Sequence, residues 1–276
     1  MSQDNSAQKV YWNDTAGPSW VAAQANLDAM LEPLSAQAIA RAAARSNEQV
    51  LDVGCGCGAT TLALAESGAQ VTGVDLSEPM INRAKERAAG SDNIELIVKD
   101  ACVYDTKHQF DLIFSRFGVM FFADPYEAFG HLHAQLKPDG RLVFICWQAP
   151  DQNPWMALPG RAVAPFLPPL DPAPQPTDPG PFALANPDYC SDILTQAGFH
   201  SIEHQSIEAG MYLGADLDEV MNYQRFVGPV ARVVKELQGE QQEAAIAAAR
   251  AAFEPHMTKS GLSLPGRAWL VSATAQ

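Results

Sequence analysis

The sequence predicts an α/β fold built on a doubly wound, mostly parallel sheet. Three observations carry that expectation: aliphatic runs alternate with amphipathic segments between residues 49 and 147, turn residues separate them, and the first run ends in a glycine-rich bend that opens a helix. At 276 residues the chain suits one α/β domain with insertions, or a domain plus a cap, better than two equal domains.

In chain order, residues 26–45 read as one or two helices broken at Pro33, preceded by a more irregular aromatic stretch from Tyr11 to Trp20. Residues 49–53, 70–74, 94–98, 110–115 and 140–147 have the β-branched or aliphatic character of buried strands. Between them, residues 60–67, 79–89 and 126–136 carry helical periodicity, with Ser77 placed to cap the second and the turn Lys137-Pro138-Asp139-Gly140 closing the third. Residues 150–187 hold many of the 20 prolines, among them Pro165, Pro168, Pro169, Pro172, Pro174, Pro176, Pro179 and Pro181, and read as a lid or a disordered connection. A helix over 189–197, a strand over 201–207, helices over 217–226 and 239–253 and a strand over 267–273 complete the pattern. The expected division is an arm at 1–48, a binding core at 49–148 and a lid, helical cap and closing strands at 149–276.

Eighteen Lys and Arg against 32 Asp and Glu leave a net charge of −14, which repels phosphate backbones and makes nucleic acid a poor partner. No apolar run is long enough for a transmembrane span, and Met1-Ser2-Gln3-Asp4-Asn5 lacks the basic and apolar regions of a leader, so a cytoplasmic location is expected. Five cysteines are an odd number that fits reduced thiols; Cys55-x-Cys57 lacks metal-ligand spacing and a second pair, so no metal site is expected. Nothing in the sequence speaks to oligomeric state.

The chemistry concentrates in Val50-Leu51-Asp52-Val53-Gly54-Cys55-Gly56-Cys57-Gly58. Alternating glycines let a backbone turn tightly and let a ligand lie against the exposed N–H groups of the following helix. Gly54-x-Gly56-x-x-Ala59 also fits a relaxed dinucleotide fingerprint, and Asp75, 21 residues after Gly54, stands where a ribose-binding carboxylate belongs in either case.

Asp52 two residues before the first glycine, Gly58 in the same alternating register, Lys99-Asp100-Ala101 after the third strand, Phe110 to Arg116, and Leu136 to Leu142 together resemble the class I S-adenosylmethionine-dependent methyltransferases, from about Val50 to Trp147. The resemblance implies a Rossmann-like, seven-stranded sheet and S-adenosylmethionine as cofactor. It implies that Asp52 serves the cofactor's amino group through water, that Gly54, Gly56 and Gly58 form a cradle, and that Asp75 takes the ribose hydroxyls. Leu76 and Met80 would cover the adenine, Asp100 would accept from its amine, and Ala101 would offer a backbone N–H. Ser115, Arg116 and Phe117 would face the methionine portion and the acceptor.

Tyr11, Trp12 and Trp20 resemble the aromatic leaders of small-molecule methyltransferases and are expected to act as a flap. His131 and His133 precede the fifth strand and read as surface or core residues. Trp155, Phe166, Phe182, Tyr212, Tyr223 and Phe226 are candidates for an acceptor pocket. An Asn-Pro-Pro-Tyr-like tetrapeptide is absent after the fourth strand, where Ser115-Arg116-Phe117-Gly118 stands, which points to a metabolite or natural-product acceptor. The core also resembles the ubiquinone and menaquinone type. No catalytic base is assigned. A silent S-adenosylmethionine-binding module and a nicotinamide oxidoreductase stay open as alternatives.

Overall fold

The computed structural model describes residues 5–106, 108–169, 173, 175–226 and 228–275; Met1 to Asp4 of the amino-terminal stretch and Pro172 and Pro174 of the proline-rich stretch lie outside the described residues. Its helices and strands follow in the order α1 (Ser6–Asp14), α2 (Ala16–Ala22), α3 (Gln24–Ala42), β1 (Gln49–Val53), α4 (Ala59–Ala65), β2 (Gln70–Asp75), α5 (Glu78–Arg87), β3 (Ile94–Val98), β4 (Phe110–Arg116), α6 (Pro125–Ala134), β5 (Leu136–Trp147), α7 (Pro154–Val163), α8 (Pro187–Gln196), β6 (His200–Gly214), α9 (Leu217–Gln224), α10 (Pro229–Glu236), α11 (Gly239–Phe253) and β7 (Leu262–Thr274).

The seven strands form one sheet in the order β3-β2-β1-β4-β5-β7-β6. The pairings β1 with β2, β1 with β4, β2 with β3 and β4 with β5 are parallel, whereas β7 runs antiparallel to both β5 and β6. This is the mostly parallel, doubly wound α/β sheet that the patterning predicts. The order reverses beside β1, between β2 and β4, so the carboxyl ends of these strands open onto a crevice where ligands of such sheets bind. Buried Val50, Leu51, Leu112, Ile113, Phe114 and Phe144 fill the centre of the sheet, as expected of strands covered on both faces.

Several expectations need correction. Residues 11–20 are helical, divided between α1 and α2; neither helix has a side-chain cap, and α1 buries none of its residues, so the sequence offered no period to read. Pro33 does not break α3. Its missing N–H costs one hydrogen bond, but Leu27, Met30, Leu31, Leu34 and Ala38 keep one buried face on both sides of it, and packing outweighs propensity. Lys137-Pro138-Asp139-Gly140 is a bulge within β5 rather than a turn before it: pairing jumps from Phe110 with Leu136 to Leu112 with Arg141. The proline-rich stretch begins with α7, and α10 was not foreseen; each has proline at its start, where the absent N–H is harmless. The last two strands are longer than expected and form an extended antiparallel pair.

Candidate functional site

A cavity of about 780 Å³ opens at the carboxyl ends of β1, β2 and β4. Its floor is the bend after β1. Gly54 and Gly56 have φ of +67° and +55°, a left-handed conformation that suits glycine. Gly54 also lies against the backbone of Gly118, so closely that a Cβ there would come within 2.8 Å of the Gly118 Cα.

Asp75 ends β2 at the cavity. Its Oδ2 accepts from the Gly56 N–H at 2.9 Å and its Oδ1 from the Ser77 N–H at 2.8 Å, so the carboxylate is fixed from behind. Burial pushes its carboxyl up from the ordinary range against those two hydrogen bonds. Leu76, Met80, Asp100 and Ala101 line the same side.

Asp52 lies beneath this floor and does not line the cavity. The hydroxyls of Thr60 and Thr61 donate to its Oδ2 at 2.8 and 2.7 Å, while its Oδ1 is enclosed without a partner. Burial raises its pKa to about 6, against the Thr hydroxyls and the positive charge of Arg116. Gly58 and Ser115 likewise stand outside the lining. A Cβ at Gly58 would approach the Ala84 side chain at 3.0 Å, so this glycine lets the bend before α4 lie close to α5. The Ser115 hydroxyl donates to the Val53 carbonyl and accepts from the Gly118 N–H, holding the β1 and β4 ends together.

Arg116 and Phe117 do line the cavity. The Arg116 guanidinium reaches Asp28 of α3 at 3.8 Å and the Ser35 hydroxyl at 3.3 Å, and burial lowers its pKa. Phe117 is a non-glycine residue with φ of +59°, a strained conformation of the kind that collects at ligand sites. Its ring stacks on Trp147 with centroids 4.0 Å apart, and Trp147 meets Trp155 edge-on at 5.2 Å.

The arm supplies a second aromatic wall. Trp12 contacts Trp20 and Phe121 edge-on at 6.0 and 5.1 Å, and Tyr11, Trp12 and Trp20 all line the cavity. The Ser77 hydroxyl donates to the Trp12 carbonyl, and Asn13 bridges the Leu76 carbonyl and the Glu78 N–H. The arm is thus fastened directly over the loop that carries Asp75. At its other end the Asn5 side-chain amide donates to both Asp100 oxygens at 2.9 and 3.0 Å, and its carbonyl accepts from the Ala123 N–H.

Of the acceptor candidates, Trp155, Phe182, Tyr223 and Phe226 line the cavity, whereas Phe166 and Tyr212 do not. His131 bonds the Tyr104 carbonyl and His133 packs on Phe199; neither faces the cavity. Among the described residues no His, Cys, Asp and Glu cluster could hold a metal ion, and no helix is long and apolar enough to cross a membrane. Sequence reasoning missed Asn5, Phe121, Trp147, Gln224, Arg225, Arg232 and Lys235 as lining residues. Trp147 could have been found from its place at the carboxyl end of β5, and Phe121 from the aromatic pair Phe121-Phe122 in the segment after β4; an isolated Asn5 carries no such signal.

Comparison with known proteins agrees with this geometry. Residues 50–140 match the methyltransferase domain family. A demethylmenaquinone methyltransferase of Clavibacter sepedonicus is 33% identical over 176 residues, covering 60% of this chain and 71% of the relative. A ubiquinone biosynthesis O-methyltransferase of Coxiella burnetii is 34% identical over 123 residues, 42% of this chain; the chain spans half of that relative's length. The solved structure of the YcgJ protein from Bacillus subtilis shares the fold with a TM-score of 0.60 at 19% identity, over 88% of this chain and 97% of that one. With a matching domain at its core and a methyltransferase relative aligned over more than two thirds of its own length, the chain belongs to the class I S-adenosylmethionine-dependent methyltransferase family, and S-adenosylmethionine is its methyl donor.

Proposed function

We propose that this enzyme methylates a small, planar, oxygenated aromatic acceptor, of the hydroquinone type, in the cytoplasm. The observation that carries the reading is the pair of aromatic walls, Trp12-Trp20-Phe121 and Phe117-Trp147-Trp155, bounding one cavity above the glycine bend. Such walls offer flat apolar faces to a ring and exclude water from it. The two quinone-pathway relatives support the same class of acceptor, and the chain's net charge of −14 disfavours nucleic acid.

The residues present fit the cofactor. Gly54 and Gly56 line the cavity without side chains, in a left-handed bend that a ligand could lie against. The unpartnered Asp52 oxygen leaves negative charge available to a cationic amino group, through water. We assign Asp75 to the ribose hydroxyls, because its two oxygens keep free acceptor positions beyond the N–H bonds already made. Leu76, Met80, Asp100 and Ala101 would hold the adenine side, and Arg116 and Phe117 the methionine and acceptor side.

S-adenosylmethionine supplies an electrophilic methyl group on a sulfonium sulfur, whose positive charge is discharged when the methyl is displaced in line. The chain's part is alignment and desolvation, which together can supply much of the acceleration. No histidine lines the cavity among the described residues. An acceptor hydroxyl must give up its proton to become the nucleophile, whereas an electron-rich ring carbon loses its proton after transfer; no residue is assigned as the base. A labelled-methyl screen against hydroquinones, catechols and amines, with mass identification of products, tests the reading; label passing to amines and sparing every oxygenated aromatic would defeat it.

A further inference from the structure

Tyr223 belongs to α9 and forms part of the cavity wall. It is 8% exposed, and its hydroxyl is enclosed with no hydrogen-bond partner. A buried hydroxyl left unsatisfied carries a desolvation penalty that phenylalanine would not.

Three of the charged groups that line the cavity are already engaged. Asp75 is held by Gly56 and Ser77, Asp100 by Asn5 and Cys102, and Arg116 by Asp28 and Ser35. Tyr223 is a donor in reserve. Burial pushes its phenol up, so the proton stays in place through the physiological range.

Topology says which ligand it serves. Asp75 and Asp100 follow β2 and β3 at one edge of the sheet, whereas α9 leaves β6 at the opposite edge. The adenosine side and Tyr223 thus approach the cavity from different ends, and the partner for the phenol is the acceptor rather than the nucleoside.

We propose that the Tyr223 hydroxyl is the hydrogen-bond donor that selects and orients the acceptor through an oxygen substituent on its ring. This rests on the reading of the acceptor as an oxygenated aromatic. Tyr223 then determines specificity by rejecting rings that lack the oxygen, since those leave its hydroxyl unpaired.

The test uses the full chain saturated with S-adenosylhomocysteine, with 1-naphthol and naphthalene as probes in equilibrium dialysis. Tyr223→Phe is expected to weaken 1-naphthol binding about five- to tenfold, the worth of one hydrogen bond, and to leave naphthalene within about twofold. The thermal midpoint of the ligand-free variant should equal or exceed that of the wild type, because the substitution deletes an unpaired group. If both probes bind and the substitution changes neither, the role of Tyr223 is refuted while the aromatic-acceptor reading stands. If neither probe binds the wild-type protein, both fall together. A lowered midpoint in the variant would also overturn the proposal, since it would mean that the hydroxyl is satisfied within the fold.

Discussion

The two sides of the cavity are made of different materials. On the side of β1, β2 and β3 the surface joins a glycine bend, which presents backbone, to a carboxylate whose oxygens are pinned by two amides. On the side of the arm and α7, α9 and α10 it is side chain, aromatic in the arm, α7 and α9 and charged along α10, presented by helices joined to the sheet through loops. Backbone surfaces tolerate little substitution and suit a ligand that never changes. Aromatic surfaces can be exchanged ring by ring, which suits an acceptor that differs between relatives.

Substitutions on the two sides should therefore fail in different ways. The largest effect is expected from Asp75→Ala, which should weaken S-adenosylhomocysteine binding by about a hundredfold, ~3 kcal/mol, with little change in thermal midpoint; calorimetry giving unchanged affinity would contradict the ribose assignment.

Asp52→Asn probes the layer beneath the floor. The Asp52 pKa stands at about 6 in the folded protein, above the unfolded value of about 3.9, so the folded state binds the extra proton between the two. Its stabilising contribution is complete below the unfolded value and is lost as pH rises through about 6. Wild-type stability relative to the Asn variant should fall across that window by up to roughly 3 kcal/mol, measured by urea unfolding from pH 4 to 7. A difference that stays constant with pH would show that Asp52 ionises normally.

Trp12→Ala should act on the acceptor side, lowering kcat/KM for the acceptor about tenfold while cofactor affinity moves less than about threefold. Equal losses for both ligands would erase the distinction between the walls. The smallest effect is expected from Asn5→Ala. It removes the arm's hold on Asp100 and should speed amide exchange across α1 while shifting cofactor affinity by under about threefold; unchanged exchange would show that the Trp12 and Asn13 bonds suffice.

The same contrast explains what could be read in advance. The glycine register, Asp75 after β2 and Asp100 after β3 are local patterns, because a bend that approaches a ligand requires particular residues at particular offsets. The aromatic side has no such grammar. Pro159 lies inside α7 and Pro33 inside α3, and each helix persists because its buried face outweighs the lost hydrogen bond. Asn5 meets Asp100 across 95 residues of chain, a pairing that no short window contains. Tyr223 was legible as an aromatic on a helix, but its unpaired hydroxyl is a fact of three-dimensional packing.

The strand order carries a consequence for synthesis. β7 sits between β5 and β6 and pairs with both, so β1 to β5 can assemble as soon as they leave the ribosome, while β6 has no strand to pair with until residues 262–274 emerge. The nascent chain can thus own a nearly finished parallel half, glycine bend and Asp75 included, before the sheet is complete. In that interval β6 offers two bare hydrogen-bonding edges, and it is there, rather than in the parallel core, that a slow translation step would expose the protein to misassembly.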